Sequence, residues 1–328
     1  MSQPPRTLRR GSKPSCSGRS FGHSAAIFRS KQSSPETQGS RVNVSVTRRA
    51  LIFGMPAFFA AAITASPAAA ETVIAAIEER YGGRLGVFAI DTASGRTLAH
   101  RADERYLMCS TFKGLLAAQV LARVDSGREE LTRLVPYSEK DLVFTSPVTK
   151  ANLGQGALSV ATLCQAIVED SDNTAAVLLM RSAGGPEGLT RFVRSLGDTV
   201  TQSDRYEPDS NQSNGVLDTT TPRAIVGCAQ RILLGDVLSE KSRALLEGWM
   251  IAAKPGLKRL RASFPAGWVG ADRPGTSLEG ETNDYALARP PGRAPLLVAA
   301  YYDAPKLDME LREAVLRDVG SAFVAWAK

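Results

Sequence analysis

Histidine and cysteine are scarce in this sequence, although they are the residues that most often bind zinc and most often form catalytic pairs with a nucleophile. The 328 residues include two histidines, His23 and His100, and four cysteines. His100 falls at the end of a predicted strand, which gives a Ser-His-Asp or Cys-His site little support. The cysteines do not have metal-ligand spacing. We therefore expect no metal and no cofactor.

Acidic side chains are almost absent from the segment 1–70, which holds ten basic residues and one acid, Glu36. The whole chain has 40 basic and 33 acidic residues and a net charge of +7. Residues 71–328 therefore hold 30 basic and 32 acidic residues, for a net charge of −2. The basic character belongs to the N-terminal segment, so the remainder offers no phosphate-binding surface and no nucleic-acid partner is expected.

The segment 1–70 is predicted to be a disordered basic extension followed by a secretory signal. Residues 1–47 are rich in Ser, Arg, Pro and Gly, which favours disorder. Arg48 and Arg49 precede an apolar run at 51–65, and an Ala-Ala-Ala sequence ends at Ala70. Paired arginines, a short apolar run and small residues are typical of a twin-arginine signal cleaved after Ala70. Export to the periplasm is expected, and an uncleaved membrane anchor is the alternative.

Residues 71–328 are predicted to form one catalytic domain of two lobes. Hydrophobic periodicity predicts helices at both ends and a helical block between two groups of strands. The predicted helices are 72–81, 111–126, 159–169, 173–183, 187–196, 222–234, 239–253 and 307–327, and the predicted strands are 84–90, 96–100, 267–273, 282–288 and 295–302. This order predicts an α/β protein of the α+β type, with an antiparallel five-stranded sheet, flanking helices and an inserted all-helical lobe.

The segment from Ser110 to Lys113 carries the first chemical signal. Ser110 stands where a helix should begin, and Lys113 follows three residues later, so both lie on one helix face. A serine needs a base to become a nucleophile, and a lysine can fill that role where histidine is lacking. Taken alone, the pair also fits a helix-capping serine beside a surface lysine.

Three further segments contain polar residues that could act together with Ser110 and Lys113. Ser171-Asp172-Asn173 lies between two predicted helices and could cap a helix or present polar groups to a substrate. Glu207 and Asn211 fall in a stretch without regular periodicity, where an acid can be a general base or only a solvated side chain. Residues 273–276, Arg-Pro-Gly-Thr, follow a predicted strand and offer a cation and backbone donors.

In this order the four segments resemble the class A serine β-lactamases, whose motifs are S-x-x-K, S-D-N, a loop E-x-x-x-N and K-T-G. Residues 108–113, 146–149, 282–286 and 292–295 are similar to the same family, so the resemblance covers roughly residues 71–328. It implies the serine β-lactamase and DD-peptidase-like fold. It also implies a periplasmic, monomeric enzyme that hydrolyses the amide of a small-molecule β-lactam through a serine acyl-enzyme and so confers antibiotic resistance, without a stable membrane partner.

The resemblance implies catalytic roles for four residues. Ser110 would attack the lactam carbonyl, and Lys113 would accept or relay its proton, although the acylating base is disputed in this family. Ser171 would pass a proton to the lactam nitrogen. Glu207 would activate the water that hydrolyses the acyl-enzyme.

The resemblance also implies a set of substrate-binding residues. Asn173 would bind the side-chain amide of the substrate, and Asn211 would hold the deacylating water. Backbone N–H groups of Ser110 and Thr276 would form the oxyanion hole. Arg273 and Thr276 would bind the substrate carboxylate. The complete set of substrate-binding residues is Asn173, Asn211, Arg259, Arg273, Pro274, Gly275 and Thr276.

The sequence departs from the family's pattern at several positions beside the expected site. Arg273-Pro274-Gly275 replaces Lys-Thr-Gly, so one threonine hydroxyl is missing. Because the backbone nitrogen of Pro274 carries no hydrogen, we expect it to face the cleft and not a neighbouring strand. Ser277 stands where some members carry a cysteine, so Cys109 should be a free thiol. In the loop motif, Ser210 stands where the family has a leucine. Thr145, with Phe144 adjacent, stands where the family usually has the aromatic residue that walls the site.

The resemblance also implies that an ion pair between Arg205 and Asp218 closes the loop that carries Glu207. Two other classes of function remain open at this point. A DD-peptidase would share the acylating residues, and a binding-only protein would form an acyl-enzyme without releasing it.

Overall fold

A computed structural model of the chain describes residues 67–328. The predicted extension and most of the predicted signal segment lie outside these residues. The helices of the described part are α1 Pro67–Tyr81, α2 Phe112–Asp125, α3 Pro147–Ala151, α4 Val160–Glu169, α5 Asn173–Ser182, α6 Gly185–Ser195, α7 Pro222–Leu234, α8 Glu240–Ile251 and α9 Met309–Ala327. Within this part of the chain, no helix is both long enough and apolar enough to cross a membrane.

The strands form one large sheet and two small two-stranded sheets. They are β1 Arg84–Asp91, β2 Thr97–His100, β3 Tyr106–Leu107, β4 Leu134–Pro136, β5 Ala157–Ser159, β6 Thr219–Thr220, β7 Val269–Asp272, β8 Gly275–Thr276, β9 Glu281–Arg289 and β10 Leu296–Asp303. The large sheet has the order β2-β1-β10-β9-β7, and β8 also pairs with β9. All of its neighbouring strands are antiparallel, and strands from both ends of the chain meet where β1 pairs with β10.

Both faces of this sheet are buried, and the two faces pack against different helices. Because side chains alternate along a strand, β10 sends Leu297 and Ala299 to one core and Val298 and Ala300 to the other. The first core is shared with the helices between β2 and β7, and the second with α1 and α9. The fold class predicted from the sequence is confirmed, with the helical block inserted between the N-terminal and C-terminal strands.

The large sheet has six strands where five were predicted. The predicted strand 267–273 corresponds to β7, and β8 is an additional short strand beyond Arg273-Pro274 that also pairs with β9. A proline cannot donate a ladder hydrogen bond, which explains an interruption at this position. The difference is therefore a local break in one edge strand and leaves the predicted topology unchanged.

Pro274 turns its nitrogen away from the sheet, as predicted. The N–H of Arg273 donates to the carbonyl oxygen of Tyr285 at 2.9 Å, so residue 273 is bonded to β9. Backbone groups alternate in direction along a strand, and the nitrogen of residue 274 therefore faces the opposite side. That side is the free edge of the sheet, where a missing N–H leaves no β9 carbonyl without a donor.

The loop from Asp204 to Asp218 closes on the carboxylate of Asp218. Its Oδ1 accepts the N–H groups of Asp204 at 2.8 Å and Arg205 at 3.0 Å, while Nε of Arg205 donates to Oδ2 at 2.6 Å. The backbone of Asp218 also accepts the N–H of Met108 at 2.9 Å, which joins the loop to the segment before Ser110. The predicted ion pair is confirmed, and Asp218 is the buried partner.

We expect Asp218→Asn to lower the free energy of unfolding by about 2 kcal/mol, because a buried acceptor of several hydrogen bonds loses its charge. Urea unfolding followed by fluorescence measures this change. Arg191→Gln is the matched control, since it breaks an exposed ion pair with Glu187 that contributes at most ~0.5 kcal/mol. Equal effects of the two substitutions would contradict the importance assigned to Asp218.

Candidate active site

A cleft of about 350 Å³ opens where β8, the turn before α2 and the segment before α5 meet. Seven residues selected from the sequence line it, while Lys113, Glu207, Arg259 and Arg273 lie behind its wall. The seven lining residues are Ser110, Ser171, Asn173, Asn211, Pro274, Gly275 and Thr276. The sequence motifs therefore converge on one cavity, although they are widely separated along the chain.

Ser110 lies in a short 3-10 turn, Cys109–Thr111, that runs directly into α2. Cys109 has a φ of 47°, in the left-handed region, which turns the chain sharply before the helix. Strand β8 lies against this turn. A Cβ on Gly275 would come within 2.8 Å of the Met108 carbonyl oxygen and 3.0 Å of the Ser110 nitrogen, so only glycine permits this approach.

Lys113 is completely buried and is surrounded by oxygen atoms. Its Nζ donates to the Ser171 carbonyl at 2.7 Å and to Oδ1 of Asn173 at 2.5 Å, and it lies 3.2 Å from Oγ of Ser171. Nζ is also 3.8 Å from Oε1 of Glu207. Burial disfavours the charged ammonium more than Glu207 favours it, which lowers the pKa of Lys113 to about 8.

Asp172 fixes the segment that carries Ser171 and Asn173. Its carboxylate accepts the N–H of Ala175 at 2.8 Å and caps α5, as the sequence predicted for a helix start. The same carboxylate accepts the N–H groups of Val148 and Thr149 at 3.0 and 2.9 Å, which ties α5 to α3. The segment 171–173 therefore does both things that the sequence suggested: Asp172 caps a helix, while Ser171 and Asn173 line the cleft.

Glu207 is a buried carboxyl group with few partners. Neither of its side-chain oxygens has a hydrogen bond to the protein, and Oδ1 of neighbouring Asn211 also lacks one. Burial raises the pKa of Glu207, and the charge of Lys113 opposes that rise. Nδ2 of Asn211 donates to the carbonyl of Thr276 at 3.1 Å and so joins this loop to β8. These unpaired acceptors are suited to orienting a water molecule through its two hydrogens.

Arg273, which was expected to bind the substrate carboxylate, does not line the cleft. It is completely buried, and its Nη2 donates to Oγ of Ser171 at 2.7 Å. Burial lowers its pKa to about 10. Alternation along the strand turns this side chain toward the interior, so its contact with the cleft is indirect and passes through Ser171.

Arg259 also lies behind the cleft, where it supports β8. Its Nη1 donates to the carbonyls of Gly275 at 2.8 Å and Asn283 at 2.9 Å, and its Nη2 donates to Oγ1 of Thr276 at 2.5 Å. Glu313 lies 3.6 Å from its Nε. Arg259 therefore orients the Thr276 hydroxyl and does not itself form part of the wall that a ligand would meet.

The cysteines and the single described histidine take no part in this arrangement. Cys109, Cys164 and Cys228 are free and buried, which confirms the prediction of a free thiol at Cys109. Nε2 of His100 lies 2.8 Å from a carboxylate oxygen of Glu78, and His100 does not line the cleft. Within residues 67–328, no group of three or more metal-ligating side chains could hold a metal ion.

Several cleft residues escaped the sequence analysis. Phe144 and Thr145 both line the cleft, and the sequence analysis had placed them where the family has an aromatic residue. The lining residues without any sequence signal are Asp170, Pro255, Leu278, Met309 and Arg312. Arg312 lies on the amphipathic helix α9, whose periodicity predicts a buried face but does not reveal which cavity that face borders.

Comparisons with known proteins match the described fold over nearly its whole length. The family model described as "Beta-lactamase enzyme family" matches residues 69–327. A crystal structure of a β-lactamase from Burkholderia vietnamiensis is 74% identical, with a TM-score of 0.78, and the match covers 79% of this chain and 96% of that one.

Two further relatives define the class more narrowly. The ancestral class A β-lactamase GNCA is 50% identical, with a TM-score of 0.76, over 78% of this chain and 98% of that one. β-Lactamase AST-1 from Nocardia asteroides is 41% identical over 259 residues, which are 78% of this chain and 83% of that protein.

The fold and the cleft define a hydrolase with a serine set against a buried lysine and a buried carboxyl group. The chain belongs to the β-lactamase enzyme family, and within it to the class A serine β-lactamases. Its activity is the hydrolysis of β-lactams.

Proposed function

We propose that Ser110, Lys113, Ser171 and Glu207 carry out this hydrolysis through a serine acyl-enzyme. Glu207 is the observation that supports a complete cycle, because a buried carboxyl group without a hydrogen-bond partner beside Asn211 provides a base for hydrolysis of the acyl-enzyme. A DD-peptidase or a binding-only protein needs the acylating residues but has no need of this base.

Acylation begins at Ser110 Oγ, which attacks the carbonyl carbon of the lactam. The lowered pKa of Lys113 increases the fraction of neutral amine near neutral pH. The two hydrogens of a neutral amine are accepted by the Ser171 carbonyl and by Asn173, which leaves the lone pair to take the serine proton. The N–H groups of Ser110 and Thr276 stabilise the oxyanion that forms.

Ring opening breaks the bond between the carbonyl carbon and the lactam nitrogen, which must gain a proton. Oγ of Ser171 accepts hydrogen bonds from Arg273 and Lys113, so its own hydrogen is free to point into the cleft. Ser171 gives that proton to the nitrogen and recovers one from Lys113. Arg273 is thus a positioning residue for Ser171.

Deacylation uses a water held by Glu207 and Asn211. Glu207 takes a proton from the water as its oxygen attacks the ester carbonyl, and the proton then returns to Ser110 as the acyl bond breaks. All the groups in this cycle come from one chain, which supports a monomer acting on a small-molecule β-lactam. Such hydrolysis would confer resistance to β-lactam antibiotics.

We expect Ser110→Ala to abolish turnover and Glu207→Ala to form an acyl-enzyme that persists. Loss of a general base slows a step by about 10²- to 10⁴-fold, so a penicillin adduct on the Glu207→Ala protein should be visible by intact-mass spectrometry. Glu130→Ala, at an exposed acid, is the control and should turn over like the parent. Normal turnover by the Glu207→Ala protein would refute the assignment of the base.

We expect Pro274→Thr to raise kcat/KM for a penicillin several-fold or more. It restores a hydroxyl at the cleft wall, and a hydrogen bond to a charged group contributes about 1.5–3 kcal/mol, or roughly 10- to 150-fold. Steady-state kinetics measures the gain, with circular dichroism as the check on folding. An unchanged or lower value in a folded protein would show that other groups already satisfy the substrate carboxylate.

We further propose that the chain is exported to the periplasm by a twin-arginine signal and cleaved after Ala70. The paired arginines, the apolar run and the Ala-Ala-Ala sequence support this proposal. N-terminal sequencing of the periplasmic protein should give Glu71 first, and changing Arg48 and Arg49 together to lysine should prevent export. A full-length chain retained in the membrane would favour the anchor instead.

A further inference from the structure

Residues 107–111, the nucleophile turn, lie against a row of three residues on neighbouring strands of the large sheet. Asn283 on β9 pairs directly with Gly275 on β8 and with Tyr301 on β10. Residues paired in this way on antiparallel strands present their side chains to the same face. Gly275 lets the backbone of the turn approach the sheet, and Asn283 and Tyr301 supply polar atoms beside it.

Asn283 bonds the carbonyl groups at the start of the nucleophile turn. Its Nδ2 donates to the Leu107 carbonyl at 2.8 Å and lies 3.4 Å from the Met108 carbonyl oxygen. Its Oδ1 accepts the N–H of Tyr302 at 3.2 Å, and its own carbonyl accepts from Arg259 at 2.9 Å. The residue is completely buried. Because its oxygen atoms already have donors within the sheet, the amide nitrogen is the atom that faces the turn.

Tyr301 reaches the same part of the turn through Thr111. Oγ1 of Thr111 donates to the Met108 carbonyl at 2.7 Å, and the Tyr301 hydroxyl lies 2.9 Å from that Oγ1. The single hydrogen of the threonine hydroxyl is used on the carbonyl, so Tyr301 is the donor in the second bond. Both side chains are completely buried. The Met108 carbonyl is therefore held by two hydroxyl groups in series.

Cys109 lies between this anchored carbonyl and the N–H of Ser110. Because a peptide unit is planar, the direction of that N–H depends only on the two backbone rotations at Cys109 once the Met108 carbonyl is fixed. The φ of Cys109 is 47°, in a region that costs free energy for a residue with a side chain. Such a conformation persists only where the surrounding structure holds it, and here the contacts from β9 and β10 do so.

We propose that Asn283 and Tyr301 are positioning residues that keep the Ser110 N–H directed at the oxyanion that forms during acylation. The proposal rests on the acyl-enzyme cycle of Ser110 and adds the groups that fix one of its donors. Neither Asn283 nor Tyr301 lines the cleft, so both act through the backbone of the nucleophile turn. A donor held in place before the reaction needs no rearrangement when the negative charge develops.

Tyr301→Phe and Tyr302→Phe form a matched pair of variants. Both tyrosines are completely buried on β10, but Tyr302 faces the other core, where its hydroxyl donates to the Gly82 carbonyl at 2.7 Å. Stopped-flow kinetics with a penicillin separates the dissociation constant of the first complex from the acylation rate constant. We expect Tyr301→Phe to lower the rate constant several-fold with little change in the dissociation constant, and Tyr302→Phe to change neither.

Phenylboronic acid provides a second measurement, because the serine oxygen bonds to its boron and a boron-bound oxygen then takes the place of the oxyanion. Asn283→Ala removes the donor to the Leu107 carbonyl. It should lower the acylation rate constant and the affinity for phenylboronic acid by about tenfold or more. If the Asn283→Ala protein does not fold, the two tyrosine variants decide the test.

Equal effects of Tyr301→Phe and Tyr302→Phe on the acylation rate constant would overturn the proposal. A folded Asn283→Ala protein that acylates and binds phenylboronic acid like the parent would overturn it too, even if urea unfolding showed a loss of stability. These outcomes are distinct from a failure of the acyl-enzyme cycle, in which the parent protein itself would show no penicillin adduct by intact-mass spectrometry.

Discussion

Burial of the Lys113 amine is the constraint on which the rest of the site depends. An ammonium removed from water must be neutralised, paired or surrounded by acceptors, and this one has Asn173, the Ser171 carbonyl and Glu207 around it. Those contacts bring α2, the segment before α5 and the loop at Glu207 to one point. The same burial lowers the pKa of Lys113 and raises that of Glu207, so two ordinary side chains become bases that can act near neutral pH.

Strand β8 brings backbone donors to this point. Its closeness to the nucleophile turn requires Gly275, and Arg259 holds the strand from behind through two carbonyls and a hydroxyl. Asn211 joins β8 to the loop that Asp218 closes, so the position of Glu207 depends on a carboxylate outside the cleft. Rigidity in this site comes from hydrogen bonds between segments distant in sequence, which fits a cycle that needs pre-positioned donors.

Local patterns in the sequence were sufficient for the fold class and the nucleophile turn, and the resemblance to a known family implied the Arg205–Asp218 pair. Periodicity assigns strands and helices, and the motifs resemble a known family whose geometry they share. The burial of Arg273 and its bond to Ser171 were not foreseen, because sequence does not show which atoms compete for a donor. The direction of the Pro274 nitrogen was predicted correctly, since a residue without an N–H fits the strand only where that position faces away from the neighbouring strand. Arg312 had no local signal, because its position beside the cleft depends on the packing of α9, which is far from Ser110 along the chain.

Arg259 and Arg273 are buried cations behind the cleft, and both donate hydrogen bonds to the protein. A buried arginine is favourable only when acceptors use its donors, and Ser171 and the carbonyls of β8 use those of Arg273 and Arg259. These two arginines do not line the cleft, but they orient the hydroxyl groups of Ser171 and Thr276, which do. Asp272 lies 3.0 Å from Nε of Arg261, and burial raises the pKa values of both Asp272 and Asp284. Arg312 stands outside this group, because Nε and Nη1 of its guanidinium are buried without a hydrogen-bond partner.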